Sequence, residues 1–146
     1  MLVISEGIRI FTLWISSRKL GSPSVCAQGQ FATLSFTGNP EIYLLDARGE
    51  ILQQLTISWS IDVSPSWSPD GQKLAYVSNR AGKPQIYVLD LSTKRSTRLT
   101  FEGDYNTSHA WSPRGDRILY AGLHDGRFDI FMINPDGSEL RQLTGG

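Results

Sequence analysis

Histidine, cysteine and carboxylate side chains are the groups through which this chain could catalyse a reaction or hold a metal. Its only histidines, His109 and His124, have no cluster of carboxylates beside them, which is a poor pattern for a metal site. Cys26 is the single cysteine, so a disulfide framework and a cysteine-based metal cluster are both excluded. We therefore expect the histidines in loop or channel-side positions, and we predict no metal and no cofactor.

Two catalytic or ion-binding motifs are also missing from the sequence. The chain has no G-x-S-x-G, the usual setting of a hydrolase nucleophile. Its Asp-Gly pairs lack the D-x-[DN]-x-[DN]-G spacing of a calcium loop, so turn formation explains them. These pairs are Asp70-Gly71, Asp125-Gly126 and Asp136-Gly137. We predict that the chain is not an enzyme.

One polar stretch, from Glu102 to His109, is a candidate for binding. Its sequence E-G-D-Y-N-T-S-H carries an aromatic residue between acidic and hydroxyl side chains. Binding residues are often placed on loops that a rigid scaffold positions. An ordinary solvated connection explains the same composition, and the sequence alone leaves both readings open.

The element that would position this stretch is a repeat of 44 residues. Four sets of residues keep this spacing: Trp67 and Trp111; Gly38, Gly82 and Gly126; Asp46, Asp90 and Asn134; and Leu55-Thr56, Leu99-Thr100 and Leu143-Thr144. A period of about 40–45 residues is typical of four-stranded propeller blades. Helical repeats of similar length are excluded, because no apolar stripe recurs at i, i+3 and i+4.

The clearest copy of the repeat runs from Pro65 to Thr100. Ser68-Pro69-Asp70-Gly71 fits a type I turn, and the strands Lys73–Ser78 and Gln85–Asp90 follow it. Both strands are apolar on both faces, so their sheet must be covered on both sides. Ser96–Thr100 is expected as a more polar outer strand, and a short strand near Trp67 leads in. A small sheet packed between sheets of its own kind is a propeller blade.

The predicted fold is all-β, a partial β-propeller of about three four-stranded antiparallel blades plus one extra N-terminal strand. We assign residues 23–56 to a degraded blade and residues 57–100 and 101–146 to two further blades. Closed propellers use about 4–8 blades, so we expect this chain to be part of a larger propeller. The exposed end faces of such an arc would also allow self-association.

Residues 1–22 match the repeat poorly. Stepping back one period from Leu55-Thr56 reaches Phe11-Thr12, so Ile8–Thr12 is expected as the outer strand of a preceding blade. A signal peptide is the competing interpretation, but Arg9 interrupts the apolar run and Ser16–Lys19 separates it from the small residues around Cys26. We favour the propeller remnant.

The charge balance excludes some partner classes. The chain has 14 basic and 14 acidic residues, so it lacks the electrostatic footprint of a nucleic-acid-binding or anionic-membrane-binding protein. No apolar run is long enough to span a bilayer. We predict neither a nucleic-acid partner nor membrane insertion.

Three segments resemble a known family. They are P-S-W-S-P-D-G from Pro65, S-N-R-A-G-K-P-Q-I-Y-V-L-D from Ser78, and R-L-T-F-E-G-D-Y-N-T-S-H-A-W-S-P-R-G-D from Arg98. Together with N-P-E-I-Y-L-L-D from Asn39, they resemble the propeller domain of the TolB family, the periplasmic proteins of the Tol-Pal system. The resemblance runs from about Phe36 to Thr144, with a weaker reach to Pro23.

The resemblance implies a non-catalytic role in envelope integrity and cell division, in the periplasm, with bacteriocin import as a further process. The implied partner is the peptidoglycan-associated lipoprotein Pal, which contacts the loops entering the innermost strands. The matching positions are Ile61, Asp62, Val63 and Ser64, and Asn106, Thr107, Ser108 and His109.

Two other functions stay open at this stage. W-S-P-D-G also occurs in the propellers of prolyl-oligopeptidase-type serine hydrolases, so the chain could be a regulatory propeller whose catalytic domain lies elsewhere. It could also be a fragment without a function of its own.

Overall fold

The computed structural model describes residues 9–14, 30–35, 38–46 and 48–145. These residues form twelve strands in three four-stranded sheets, and the chain divides into two compact units, Met1–Pro65 and Ser66–Gly146. The strands are β1 (Arg9–Trp14), β2 (Gln30–Ser35), β3 (Glu41–Leu45), β4 (Ile51–Gln54), β5 (Asp62–Trp67), β6 (Lys73–Ser78), β7 (Gln85–Asp90), β8 (Arg95–Arg98), β9 (Tyr105–Trp111), β10 (Ile118–His124), β11 (Arg127–Ile133) and β12 (Arg141–Gln142).

Each sheet follows the chain in order, as propeller blades do. The orders are β1-β2-β3-β4, β5-β6-β7-β8 and β9-β10-β11-β12, which we call the first, middle and last sheets. The predicted all-β partial propeller is therefore confirmed. The described part of the chain contains no helix long and apolar enough to cross a membrane.

The N-terminal strand differs from the expectation. Arg9–Trp14 pairs antiparallel with Gln30–Ser35, so it is the first strand of the first sheet, not the outer strand of a preceding blade. The repeat predicted an outer strand here because it aligns Phe11-Thr12 with Leu55-Thr56, which follow the outer strand β4. The beginning of the predicted degraded blade, including Pro23 and Cys26, lies outside the described residues, and the blade boundaries stay predictions.

The middle sheet confirms the two central strands and the turn before them. The Gly71 N–H donates to the Ser68 carbonyl at 2.9 Å, which closes the predicted turn. β6 and β7 are buried over almost their whole length, on both faces. The outer strand β8 is mostly exposed, as its polar sequence indicated.

One apolar core joins the middle and last sheets. The middle sheet contributes Ala75, Ile86, Val88 and Leu99, and the last sheet contributes Ile118, Tyr120, Phe131 and Ile133. Trp111 packs against this cluster and donates from Nε1 to the Ser66 carbonyl at 3.2 Å, so it is a packing residue. The two sheets therefore cover each other face to face.

The opposite face of the last sheet is open. Leu119, Phe128 and Ile130 point outward and are exposed. Self-association through an exposed end face stays a prediction, which sedimentation velocity at several protein concentrations would test.

A threonine after each outer strand makes the same two hydrogen bonds in every repeat. These residues are Thr56, Thr100 and Thr144. The Oγ1 of Thr100 accepts from the Ile86 N–H at 2.9 Å and donates to Gln85 Oε1 at 2.7 Å, and both bonds are buried. Thr144 makes the matching bonds to Ile130 and Asp129 in an exposed position. The spacing of Leu-Thr in the sequence thus reflects a repeated polar clamp between the outer strand and the third strand.

The clamp gives a matched pair of substitutions. Thr100→Val keeps the shape but leaves the Ile86 N–H and Gln85 Oε1 without this partner inside the protein, so we expect the free energy of unfolding to fall by about 2 kcal/mol. Thr144→Val removes the same bonds where water can replace them, and should lower it by less than about 1 kcal/mol. Urea unfolding followed by circular dichroism measures both. Equal losses would contradict a role for burial in the clamp.

Candidate functional site

The candidate binding residues lie where two connections enter innermost strands. Residues 57–61 lead into β5 in the first unit, and residues 101–104 lead into β9 in the second. The two connections occupy equivalent places in the repeat: residues 57–60 have their counterparts 44 residues later at 101–104, and Ile61 has its counterpart at Tyr105, the first residue of β9.

In the first connection, Asp62 is an internal anchor. Its carboxylate accepts from the Ser58 hydroxyl at 3.1 Å and from the Ser60 hydroxyl at 3.2 Å, and its side chain is fully buried. The Asp62 N–H donates to the Pro40 carbonyl at 2.9 Å, and the Ser58 N–H donates to Glu41 Oε1 at 2.7 Å. Asp62 therefore shapes the connection from inside.

Asn106 takes the equivalent place in the second connection. Its side-chain amide donates to Gln85 Oε1 at 2.8 Å and to the Glu102 carbonyl at 2.7 Å, and its N–H donates to the Pro84 carbonyl at 3.0 Å. The Asn106 side chain is fully buried, and its Oδ1 lies beside Gly122. Neither Asp62 nor Asn106 presents its side chain to solvent.

The neighbours of Asp62 and Asn106 are more accessible to solvent. Ile61 is 44% exposed, Ser64 and Ser108 are exposed, and Val63 and Thr107 are half-buried. Ser64 and Ser108 both have positive φ, 56° and 52°, which is uncommon outside glycine. This repeated strain makes the loop backbone a defined feature of the fold.

His109 faces inward. Both of its ring nitrogens are buried, and neither has a hydrogen-bond partner among the described residues. Burial lowers the pKa of His109 from 6.5 to about 4, and the nearby backbone of Ala75 opposes this shift only in part. His109 is therefore neutral near pH 7; the residue as a whole is half-buried, with its ring nitrogens on the enclosed side.

An apolar surface that was not predicted from the sequence lies beside the first connection. Ile57, Trp59 and Ile61 are all exposed, and Trp59 is 98% exposed. Apolar residues at every second position of an otherwise polar link are the signal that could have revealed it. Tryptophan is among the residues that contribute most to protein–protein binding.

No group of three histidine, cysteine or carboxylate side chains able to hold a metal ion occurs in the part of the chain described here. The aspartates of the turns instead accept hydrogen bonds from backbone N–H groups of the same turn. Asp90 accepts from the Ser92 hydroxyl and from two following N–H groups, and these bonds lower its pKa to about 2. Turn formation thus accounts for this repeated acidic position.

Comparison with known proteins identifies relatives of one kind. Residues 17–146 match a family model described as the TolB beta propeller domain. A "Protein TolB homolog" of Chlorobium chlorochromatii is 48% identical over 78 residues, which is 53% of this chain and 16% of that protein. A "Tol-Pal system protein TolB" of Desulfosudis oleivorans is 46% identical over 74 residues, 50% of this chain and 17% of that protein. The chain thus spans less than a fifth of these curated relatives.

Solved structures agree on the fold. TolB from Acinetobacter baumannii superposes with a TM-score of 0.70 at 30% identity, over 80% of this chain and 29% of that one. Dipeptidyl peptidase 4 of Porphyromonas gingivalis gives a TM-score of 0.67 at 17% identity, over 82% of this chain and 17% of that one. At that identity the peptidase shares the fold alone.

The burial of His109 predicts a pH dependence of stability. The unfolded state binds a proton below pH 6.5 and the folded state only near pH 4, so the free energy of unfolding should fall as pH decreases through this window. The loss from this residue is at most about 1.4 kcal/mol for each pH unit. His109→Leu should remove this part of the slope. Urea unfolding at pH 7.0 and 5.0 tests it, and identical slopes for both proteins would contradict a buried neutral His109.

Proposed function

Because this chain belongs to the TolB beta propeller domain family, we propose that it is a non-catalytic protein-binding scaffold of the Tol-Pal system. The proposed partner is a Pal-like peptidoglycan-associated lipoprotein, and the proposed location is the periplasm. Roles in outer-membrane integrity, cell division and bacteriocin import are part of the same proposal. The chain spans a minor part of its relatives, so each of these activities needs a test on this chain itself.

The observation that carries the proposal is the construction of the two connections. Their polar anchors, Asp62 and Asn106, are buried and bonded, which leaves the adjacent backbone in one defined shape. Ile61, Ser64 and Ser108 then stand exposed on this fixed backbone. A preorganised loop loses little conformational freedom on binding, which favours recognition of a folded protein.

Exposed apolar area beside the first connection supports a protein partner. Trp59 and Ile61 are exposed, and contact with a protein partner would bury their apolar side chains. In this proposal Ile61, Val63, Ser64, Thr107 and Ser108 contact the lipoprotein. Asp62, Asn106 and His109 position them from inside.

The test is calorimetric titration with the soluble domain of a Pal-like lipoprotein. Trp59→Ala, Ile61→Glu and Thr107→Trp alter exposed or half-buried positions, so the fold should persist while affinity falls about tenfold. Charge reversal at Asp62 is unsuitable, because it would unfold the connection itself. Leu52→Glu, at an exposed position of β4, and Thr97→Trp, at an exposed position of β8, are the controls and should bind normally.

Two results separate the parts of the proposal. If the unaltered chain does not bind the lipoprotein, this chain is not a Pal-binding scaffold. If it binds but all three loop variants bind equally well, binding takes place elsewhere on the molecule, and the assignment of the two connections is wrong.

A further inference from the structure

The middle and last sheets each contain a stacked aromatic pair at equivalent positions. Tyr76 and Tyr87 have ring centres 5.8 Å apart with planes at 30°, and Tyr120 and Phe131 have ring centres 5.3 Å apart with planes at 17°. Each residue of the second pair lies 44 positions after its counterpart. All four side chains are buried. The two aromatic pairs are thus structurally equivalent, and they differ in the residues that surround them.

In the middle sheet, an arginine completes the pair. The guanidinium carbon of Arg80 lies 4.8 Å from the ring centre of Tyr87 and 5.6 Å from that of Tyr76. Arg80 also donates to the Tyr76 hydroxyl at 3.0 Å, and that hydroxyl donates to the Ser96 hydroxyl at 2.9 Å. Arg80 donates from Nε to the Ser78 hydroxyl at 3.0 Å. The aromatic faces, the tyrosine hydroxyl and the serine together hold one guanidinium.

In the last sheet, the residues that supply this arrangement have changed. The counterparts of Arg80, Ser96 and Ser78 are His124, Leu140 and Gly122. His124 tilts against Phe131 with ring centres 4.7 Å apart, but it does not reach the Tyr120 hydroxyl. In the described part of the chain, no cation lies over Tyr120 or Phe131.

The consequence is a Tyr120 hydroxyl to which no described residue bonds. Tyr120 is only 3% exposed, and its hydroxyl has no hydrogen-bond partner among the residues that the structure describes. The hydroxyl is not among the fully enclosed polar atoms that lack a partner, so water or a guest in the neighbouring space can reach it and bond to it. Burial and the negative charge of Glu102 raise the pKa of Tyr120 to about 12, so the hydroxyl keeps its proton.

A cavity of about 660 Å³ lies at this place, between the end of the middle sheet and the last sheet. Leu99, Tyr120 and Phe131 are among its walls, and its polar lining includes Glu102, Asp125, Asp129, Arg127 and His124. The lining thus contains three carboxylates and one guanidinium, that of Arg127. This excess of negative charge favours a positively charged guest. Volumes of about 300–1,000 Å³ are typical of small-molecule sites.

We propose that this cavity binds a guanidinium group, the arginine side chain of a protein partner. The guest would lie over the faces of Tyr120 and Phe131, donate to the Tyr120 hydroxyl and pair with the Glu102 carboxylate. It would take the place that Arg80 fills within the middle sheet. A planar guanidinium suits this site better than an ammonium, because it stacks on rings while its N–H groups bond sideways. The proposal does not depend on the Tol-Pal assignment.

The test uses the whole chain and a small probe, Nα-acetyl-arginine amide, followed by NMR. The probe should cause saturable shifts at Tyr120, Phe131 and His124. The matching citrulline compound, which has the same shape without the charge, should cause none, and the lysine compound should bind more weakly. Saturation by citrulline to the same extent would overturn the proposal, as would the absence of saturable shifts with the arginine probe.

Two single variants test the contacts. Tyr120→Phe and Glu102→Gln should each weaken the arginine probe about threefold to tenfold. Glu50→Gln, an exposed carboxylate of the first unit, is the control and should leave binding unchanged. Tyr120→Phe should not lower the free energy of unfolding, whereas Tyr76→Phe should, because only the Tyr76 hydroxyl has partners inside the protein. Unchanged probe affinity in both cavity variants would contradict the assignment.

A double variant, His124→Arg with Leu140→Ser, restores in the last sheet the counterparts of Arg80 and Ser96. Its own arginine should then occupy the site, and binding of the probe should be lost. If this variant folds and still binds the probe as the unaltered chain does, the guest lies elsewhere. If it does not fold, Tyr120→Phe and Glu102→Gln still decide the question.

Discussion

The contact between the apolar faces of the middle and last sheets is the interaction on which the rest of the second unit depends. Ala75, Ile86 and Val88 on one side meet Ile118, Tyr120 and Phe131 on the other. Burying each large side chain contributes about 1.5–3 kcal/mol, so this core outweighs any single polar bond nearby. Since β6 and β7 are apolar on both faces, no isolated sheet of this sequence could be stable, and blade-on-blade packing follows.

Polar groups have a different task, which is to fix the edges where the chain passes from one sheet to the next. The threonine clamp holds each outer strand to the third strand, and the Asn106 side chain joins that clamp through Gln85. The same network shapes the connection into β9. Strands, clamps and connections are thus linked by hydrogen bonds, and this network fixes the geometry of the exposed residues beside Asn106.

The sequence predicted the regular parts well, because the period of 44 and the two-faced strands report directly on sheet packing. It could not predict that Asp62 and Asn106 are buried, because the sequence of a polar connection does not show which side chains its polar residues will bond to in the fold. It misplaced Arg9–Trp14, because pairing with β2 depends on contacts far along the chain. The cavity at Tyr120 was partly visible in the change from Arg80 to His124, but only the structure shows that Arg80 lies over two rings.

Native-state hydrogen exchange tests the central claim, that the middle and last sheets form one core. Ile118→Ala in β10 should destabilise that core by about 2–5 kcal/mol. The most protected amides of β7, in the middle sheet, should then lose as much protection as those of β10, because both sheets open together. Loss of protection confined to the last sheet, with β7 unchanged, would contradict it.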